Sequence, residues 1–155
     1  MNASKRSPTS TQSEQDNAMT LRTIVEKKGY LRQRMVGGIT ILRVLEPTPE
    51  AIEAWYQDCN LFMSRWQPGQ RLRYLHDVRS AERVTPYATE RVTRVLKRMR
   101  TIPVSDGRGA ILLNNAPLAN LLSPFLKPHP PAFWQIMFFK EEVSALRWLT
   151  ESSAS

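Results

Sequence analysis

The chain has 155 residues, 41% of them hydrophobic, a formal net charge of +8 and one cysteine. That length suits one domain with one core. Cys59 has no partner for an internal disulfide, no apolar run approaches the ~20 residues of a membrane-spanning helix, and the N-terminus lacks a signal-type apolar stretch, so the composition predicts a globule in a reducing cytoplasm.

Met1 to Thr20 is rich in Ser, Thr, Gln and Asn and has no apolar period, so it predicts a disordered tail. Residues 21–150 form the expected domain, and 151–155 a disordered end. The positive charge is uneven. Leu21 to Glu46 carries +4, Pro47 to Gln70 carries −2, and Arg71 to Arg100 carries +6. Such clustering points to an anionic partner or to a solvated face.

The segments Tyr30–Val36 and Ile39–Leu45, joined by Gly37-Gly38, predict a hairpin. Thr48-Pro49 is a helix start, with Thr as N-cap and Pro at the first helical position. Ile52, Trp55, Tyr56, Cys59, Met63 and Trp66 then recur at helical spacing, and Pro68-Gly69 stops the helix. Arg71–Val78 reads as a strand. Thr85-Pro86 repeats the start signal for a helix to Arg100 that buries Ala88, Val92, Val95, Leu96 and Met99. Gly107 to Gly109 opens a buried strand over Ala110–Leu113. Asn114-Asn115 begins a third helix, which Pro124 should kink or shorten. Lys127–Pro131 reads as a stiff loop. Phe133–Phe139 is the last strand, and Lys140–Leu149 the last helix, burying Val143, Leu146 and Leu149.

The order β-β-α-β-α-β-α-β-α predicts an α/β domain with a mostly parallel sheet, an antiparallel strand at its N-terminal edge and about four helices. Ligands of such sheets sit outside the carboxyl ends of the strands. The expected working rim comprises Asp77, Arg79, Ser80, Arg83, Thr85, Tyr87, Arg91, Arg94 and Asn115.

The individual chemistries are weak. His76 and Asp77 are neighbours on a strand, so they point to opposite faces and form no catalytic dyad. His76 shares its face with Leu72 and Tyr74 and should pack under a helix. Asp77 should organise the following loop. Cys59 lies on a core stripe. His129 stands between prolines, far from His76, and no metal-ligand spacing occurs. Gly107-Arg108-Gly109 precedes a strand, whereas phosphate-binding loops follow one. Neither a metal nor a cofactor is expected. Arg91, Arg94 and Arg98 share one helix face at i, i+3 and i+7, flanked by Lys97 and Arg100. The aromatics fall on core stripes, which disfavours nucleic acid and leaves an acidic protein partner or an anionic lipid or nucleotide.

A hairpin, β-α units, a strand ending in Asp and the closing segment "FFKEEVSALRWL" together resemble the STAS superfamily. The nearest branch is the SpoIIAA-like proteins, related to anti-sigma factor antagonists. Phe139, Glu141, Glu142, Ala145, Trp148 and Leu149 carry the closing match, and the resemblance covers Tyr30 to Leu149. It implies a regulatory, protein-binding domain without catalytic activity. In classical members an Asp-Ser-Ser-Gly-like turn carries a phosphorylated serine. Here Asp77-Val78-Arg79 resembles the strand end, but the helix start reads Thr85-Pro86-Tyr87-Ala88. The expectation is therefore a regulatory or protein-interaction domain lacking that switch, with a binding module for a lipid or nucleotide as the alternative. In that alternative, Leu118–Phe125 and Phe133-Trp134 would line a pocket.

Overall fold

A computed structural model describes residues 21–81, 83–126 and 134–151. Six strands form one sheet: β1 (Leu21–Lys27), β2 (Tyr30–Met35), β3 (Thr40–Val44), β4 (Leu72–Asp77), β5 (Gly107–Leu112) and β6 (Trp134–Phe139). Among the described residues four α-helices accompany them: α1 (Pro49–Ser64), α2 (Pro86–Met99), α3 (Ala116–Leu122) and α4 (Glu142–Thr150). A single 3-10 turn over Ser123–Phe125 follows α3. The domain is α/β, as the alternating periods predict.

The strands lie in sequence order, β1 to β6. β1 and β2 pair antiparallel, as do β2 and β3, and the pairs from β3 to β6 are parallel. The sequence leads to β2 as the edge strand; β1 instead lies outside it. β1 escapes the sequence reading because nearly all of Leu21–Lys27 is exposed, so the strand carries no buried alternation.

The local signals act as their chemistry dictates. Gly37 and Gly38 take φ of 98° and 88°, the left-handed values the β2–β3 turn requires. Thr48 caps α1 by accepting the Ala51 N–H at 3.2 Å, and Thr85 caps α2 by accepting the Ala88 N–H at 3.1 Å. Each cap contributes about 1 kcal/mol. Asn115 caps α3 in the same way, through Leu118. α3 ends just before Pro124, as the missing proline N–H demands. The expected loop over Lys127–Pro131, His129 within it, Phe133, the 1–20 tail and residues 152–155 lie outside the described residues.

Parallel strands laid down in order, joined by crossovers of one hand, place the crossover helices on one face. α1, α2 and α3 share that face. Trp55, Val95 and Leu118 pack there with Tyr30, Leu42, Tyr74 and Ile111. α4 returns to the other face, where Ala145 and Leu149 meet Ile41, Leu75, Ala110 and Leu112. Val143, expected in the core, is 68% exposed; Ala145, one residue off the expected stripe, is fully buried. The helix begins at Glu142, later than Lys140, and presents Ala145, Leu146 and Leu149 to the sheet.

Gly107 and Gly109 belong to β5 itself, which starts three residues earlier than expected. Their role is space. A Cβ on Gly109 would stand 2.1 Å from Tyr74 Cζ, and one on Gly107 would stand 2.6 Å from Trp134 Cβ. Arg108 between them points to the other face. Its guanidinium donates to the carbonyls of Trp148 and Glu151 at 2.8 and 2.9 Å, closing the C-terminus of α4.

Candidate functional site

The carboxyl ends of β3 to β6 and the amino ends of all four helices converge on one rim, as the topology requires. Its two faces carry different chemistry.

On the α4 face the rim is a closed ion network. Arg43, on β3, reaches Asp77 at 2.9 Å and Glu142 at 2.6 Å. Arg79 holds Asp77 at 2.9 and 2.8 Å and approaches Glu142 at 3.4 Å. Asp77 also accepts the Arg79 backbone N–H at 3.3 Å, so it organises the loop it enters. Two guanidinium groups thus face two carboxylates. Burial works to raise the Asp77 pKa, but the hydrogen bonds from Arg79 and Arg43 overcome it and hold the carboxyl below its usual range. The Arg43 hydrogen bonds lower Glu142 likewise.

The basic helix is not a free surface along its length. Arg91 pairs with Glu53 of α1 at 3.0 Å, and its guanidinium lies 4.5 Å from the Tyr56 ring centre and 5.2 Å from that of Tyr87. Tyr87 donates its hydroxyl to the same Glu53. Arg98 donates to Asn60 and Ser64 of α1 at 2.6 and 2.9 Å. Arg94 pairs with Glu90 at i, i+4. Arg91 and Arg98 of the stripe expected to meet an acidic partner therefore stitch α2 to α1, using α1's Glu53, Asn60 and Ser64, while Arg94 stays more than half exposed. Ser80 donates to the Val44 carbonyl, Thr85 is spent on its cap, and Asn115 caps α3 while reaching the Ala81 carbonyl. Of the expected rim residues, Arg83 differs: it is exposed and makes no ion pair with another described residue.

On the three-helix face the rim opens into an apolar cavity of about 70 Å³. It lies between the sheet and α1, α2 and α3, with Ile52 and Trp55 contributed by α1. Val92, Leu118, Leu121 and Leu122 line it, Ala81 and Val84 flank it, and Arg83 stands on its wall. Ala88 and Val92, expected to be core, are half-buried because they face this space. Leu118, Leu121 and Leu122 belong to the segment the sequence suggests as pocket lining. Trp134 does not line the cavity: it is buried against Tyr74, 6.0 Å between ring centres.

His76 gives this cavity its polar wall. It projects from β4 under α1, opposite in direction to Asp77, so the two make no dyad. Its ring lies edge-on to Trp55 at 5.9 Å and 4.9 Å from Tyr74. It forms no hydrogen bond with another described residue, and it also borders a second, smaller space of about 30 Å³ beside Cys59 and Met99. Burial lowers its pKa to about 4, so the imidazole is neutral near pH 7. Nothing in the period-two pattern distinguishes a histidine packed against a helix from one facing a gap between two helices.

Cys59 is buried, and desolvation drives its thiol far above the usual range, so it stays protonated. Beside it, Tyr30 donates to Asp58 at 2.6 Å, and Arg32 pairs with the same carboxylate at 3.2 Å. Among the described residues, no group of three His, Cys, Asp or Glu side chains could hold a metal, and no helix is long and apolar enough to cross a membrane.

Compared with protein-family models, with curated proteins and with solved structures, the chain gives no match.

Proposed function

We propose that this chain is a non-catalytic binding module of STAS-like architecture, and that its rim cavity holds a small amphipathic ligand. The observation that carries the reading is the apolar cavity at the strand carboxyl ends with Arg83 on its wall. Small-molecule sites are concave and mostly apolar with few polar groups, and this edge of an α/β sheet is their usual place; at about 70 Å³ the enclosed space here takes only a slender part of a ligand, the rest lying in the open mouth. The lining suits an acyl or aryl body better than a nucleotide, whose base and phosphates need several polar partners. The non-catalytic reading rests on the state of the titratable groups. Asp77 and Glu142 are engaged by two arginines, His76 lies across the sheet from them, and the Cys59 thiol is protonated.

The STAS-like reading rests on chain order: an antiparallel hairpin, parallel strands added in sequence and a closing helix after β6. A regulatory protein-binding role is the second reading. It rests on Leu45, 54% exposed at the end of β3, and on Arg83. Thr85 is an N-cap here and offers no support for a phosphorylation switch.

Native mass spectrometry of gently purified protein tests the first reading. A retained small-molecule mass, lost in Leu121→Trp, supports it. A bare chain that also takes up no added fatty acid favours the protein-binding reading instead.

A further inference from the structure

The cavity reading can be sharpened by asking where its polar groups stand. The walls are almost wholly apolar, and the exceptions are separated. Arg83 is exposed, at the solvent side. His76 is part-buried at the sheet, beneath Trp55, on the wall shared with the second space. Thr89, on α2, also lines the space. The His76 ring makes no hydrogen bond to another described residue, and its nitrogens are not among the fully enclosed unpaired polar atoms; on this wall the enclosed unpaired donor is Trp55 Nε1. A neutral imidazole offers one donor and one acceptor, and water can satisfy them while the cavity is empty. A plain hydrocarbon end that displaces such water without replacing its hydrogen bonds loses affinity.

We propose, resting on the cavity reading above, that the occupant is a two-ended amphiphile: an anionic group at Arg83, an apolar body along α2 and α3, and a hydroxyl or carbonyl at the inner end, hydrogen-bonded to His76. His76 then sets specificity and Arg83 sets charge preference. Sites built to hydrogen-bond a polar ligand atom reject the analogue that lacks it far more strongly than apolar sites reject a missing methylene.

Isothermal titration calorimetry of the full chain with decanoate, 10-hydroxydecanoate and 1,10-decanediol tests this. The wild type should bind 10-hydroxydecanoate about tenfold more tightly than decanoate, the size expected for one buried hydrogen bond. Arg83→Glu should weaken both acids by about tenfold and leave the diol unchanged. His76→Leu should abolish the preference for the hydroxylated acid; should that variant fail to fold, the wild-type preference alone decides the inner-end claim. Equal binding of the two acids by the wild type, or unchanged acid binding in Arg83→Glu, overturns the two-ended ligand and leaves the cavity reading intact. Failure of all three compounds to bind overturns both.

Discussion

Gly109→Ala provides a test of how closely the helix-covered face of the sheet is packed. Gly109 has no left-handed backbone, so alanine is allowed by its conformation, and glycine-to-alanine inside a strand would ordinarily stabilise by roughly 0.5–1 kcal/mol. Here the added Cβ would stand 2.1 Å from Tyr74 Cζ and 2.2 Å from its hydroxyl oxygen, where ordinary contacts begin at 3.4 Å. Tyr74 is 4% exposed, and its ring is hemmed by His76 at 4.9 Å and Trp134 at 6.0 Å. The ring cannot yield without moving those neighbours. Overpacking of this kind costs about 1–3 kcal/mol, which exceeds the backbone gain. A net loss of about 1 kcal/mol corresponds to a melting temperature lowered by roughly 2–4 °C in a chain of this size. Urea unfolding followed by tryptophan fluorescence measures it. In a Tyr74→Leu background the cost of Gly109→Ala should shrink, because the obstructing ring end is gone. A Gly109→Ala chain as stable as the wild type would refute the close-packing explanation of this glycine.

Three further outcomes follow from particular contacts. Tyr30→Phe removes the hydroxyl that donates to Asp58 at 2.6 Å in a fully buried position, and should cost about 2 kcal/mol in urea unfolding, the range for a hydrogen bond to a charged group. Asp77 and Glu142 both have lowered pKa values when folded, so their stabilisation is present above their unfolded pKa values and is lost as pH falls through the folded ones; unfolding from pH 7 to pH 2 should show an acid limb below about pH 4 that is shallower in Glu142→Gln. Arg91→Ala should lower the melting temperature more than Arg94→Ala, because Arg91 is the less exposed of the two and joins Glu53, Tyr56 and Tyr87 of two helices, while the ion pair of Arg94 is an exposed i, i+4 contact with Glu90.

Much of the architecture was legible because its signals are local. Thr48-Pro49 and Thr85-Pro86 announce two helices by the same cap chemistry, Gly37-Gly38 announces a turn, and Leu72, Tyr74 and His76 mark one face of a strand. β1 was not legible, because an edge strand exposed along both faces needs only the Lys28-Gly29 turn and a neighbour to pair with. The arginine stripe of α2 was visible, but its destination was not. Glu53, Asn60 and Ser64 form a matching polar stripe on α1, and recognising that match requires knowing that the two helices are neighbours. The same limit hid the cavity. Val92, Leu118 and Leu121 carry ordinary core periodicity, and whether such side chains meet or leave a gap depends on how far apart α2 and α3 are held. Period two places His76 on the helix-covered face, where it lies against Trp55; its want of a hydrogen-bond partner among the described residues is a property of three dimensions.

Methyl-resolved NMR of the wild-type chain titrated with 10-hydroxydecanoate addresses the binding role most directly. Saturable shifts should concentrate on Val92, Leu118, Leu121 and Leu122, with the His76 ring resonances moving in step. Shifts confined to the α4 face, or no saturable shift at millimolar ligand (on the order of 4 kcal/mol of binding or less), would contradict a ligand cavity at this rim.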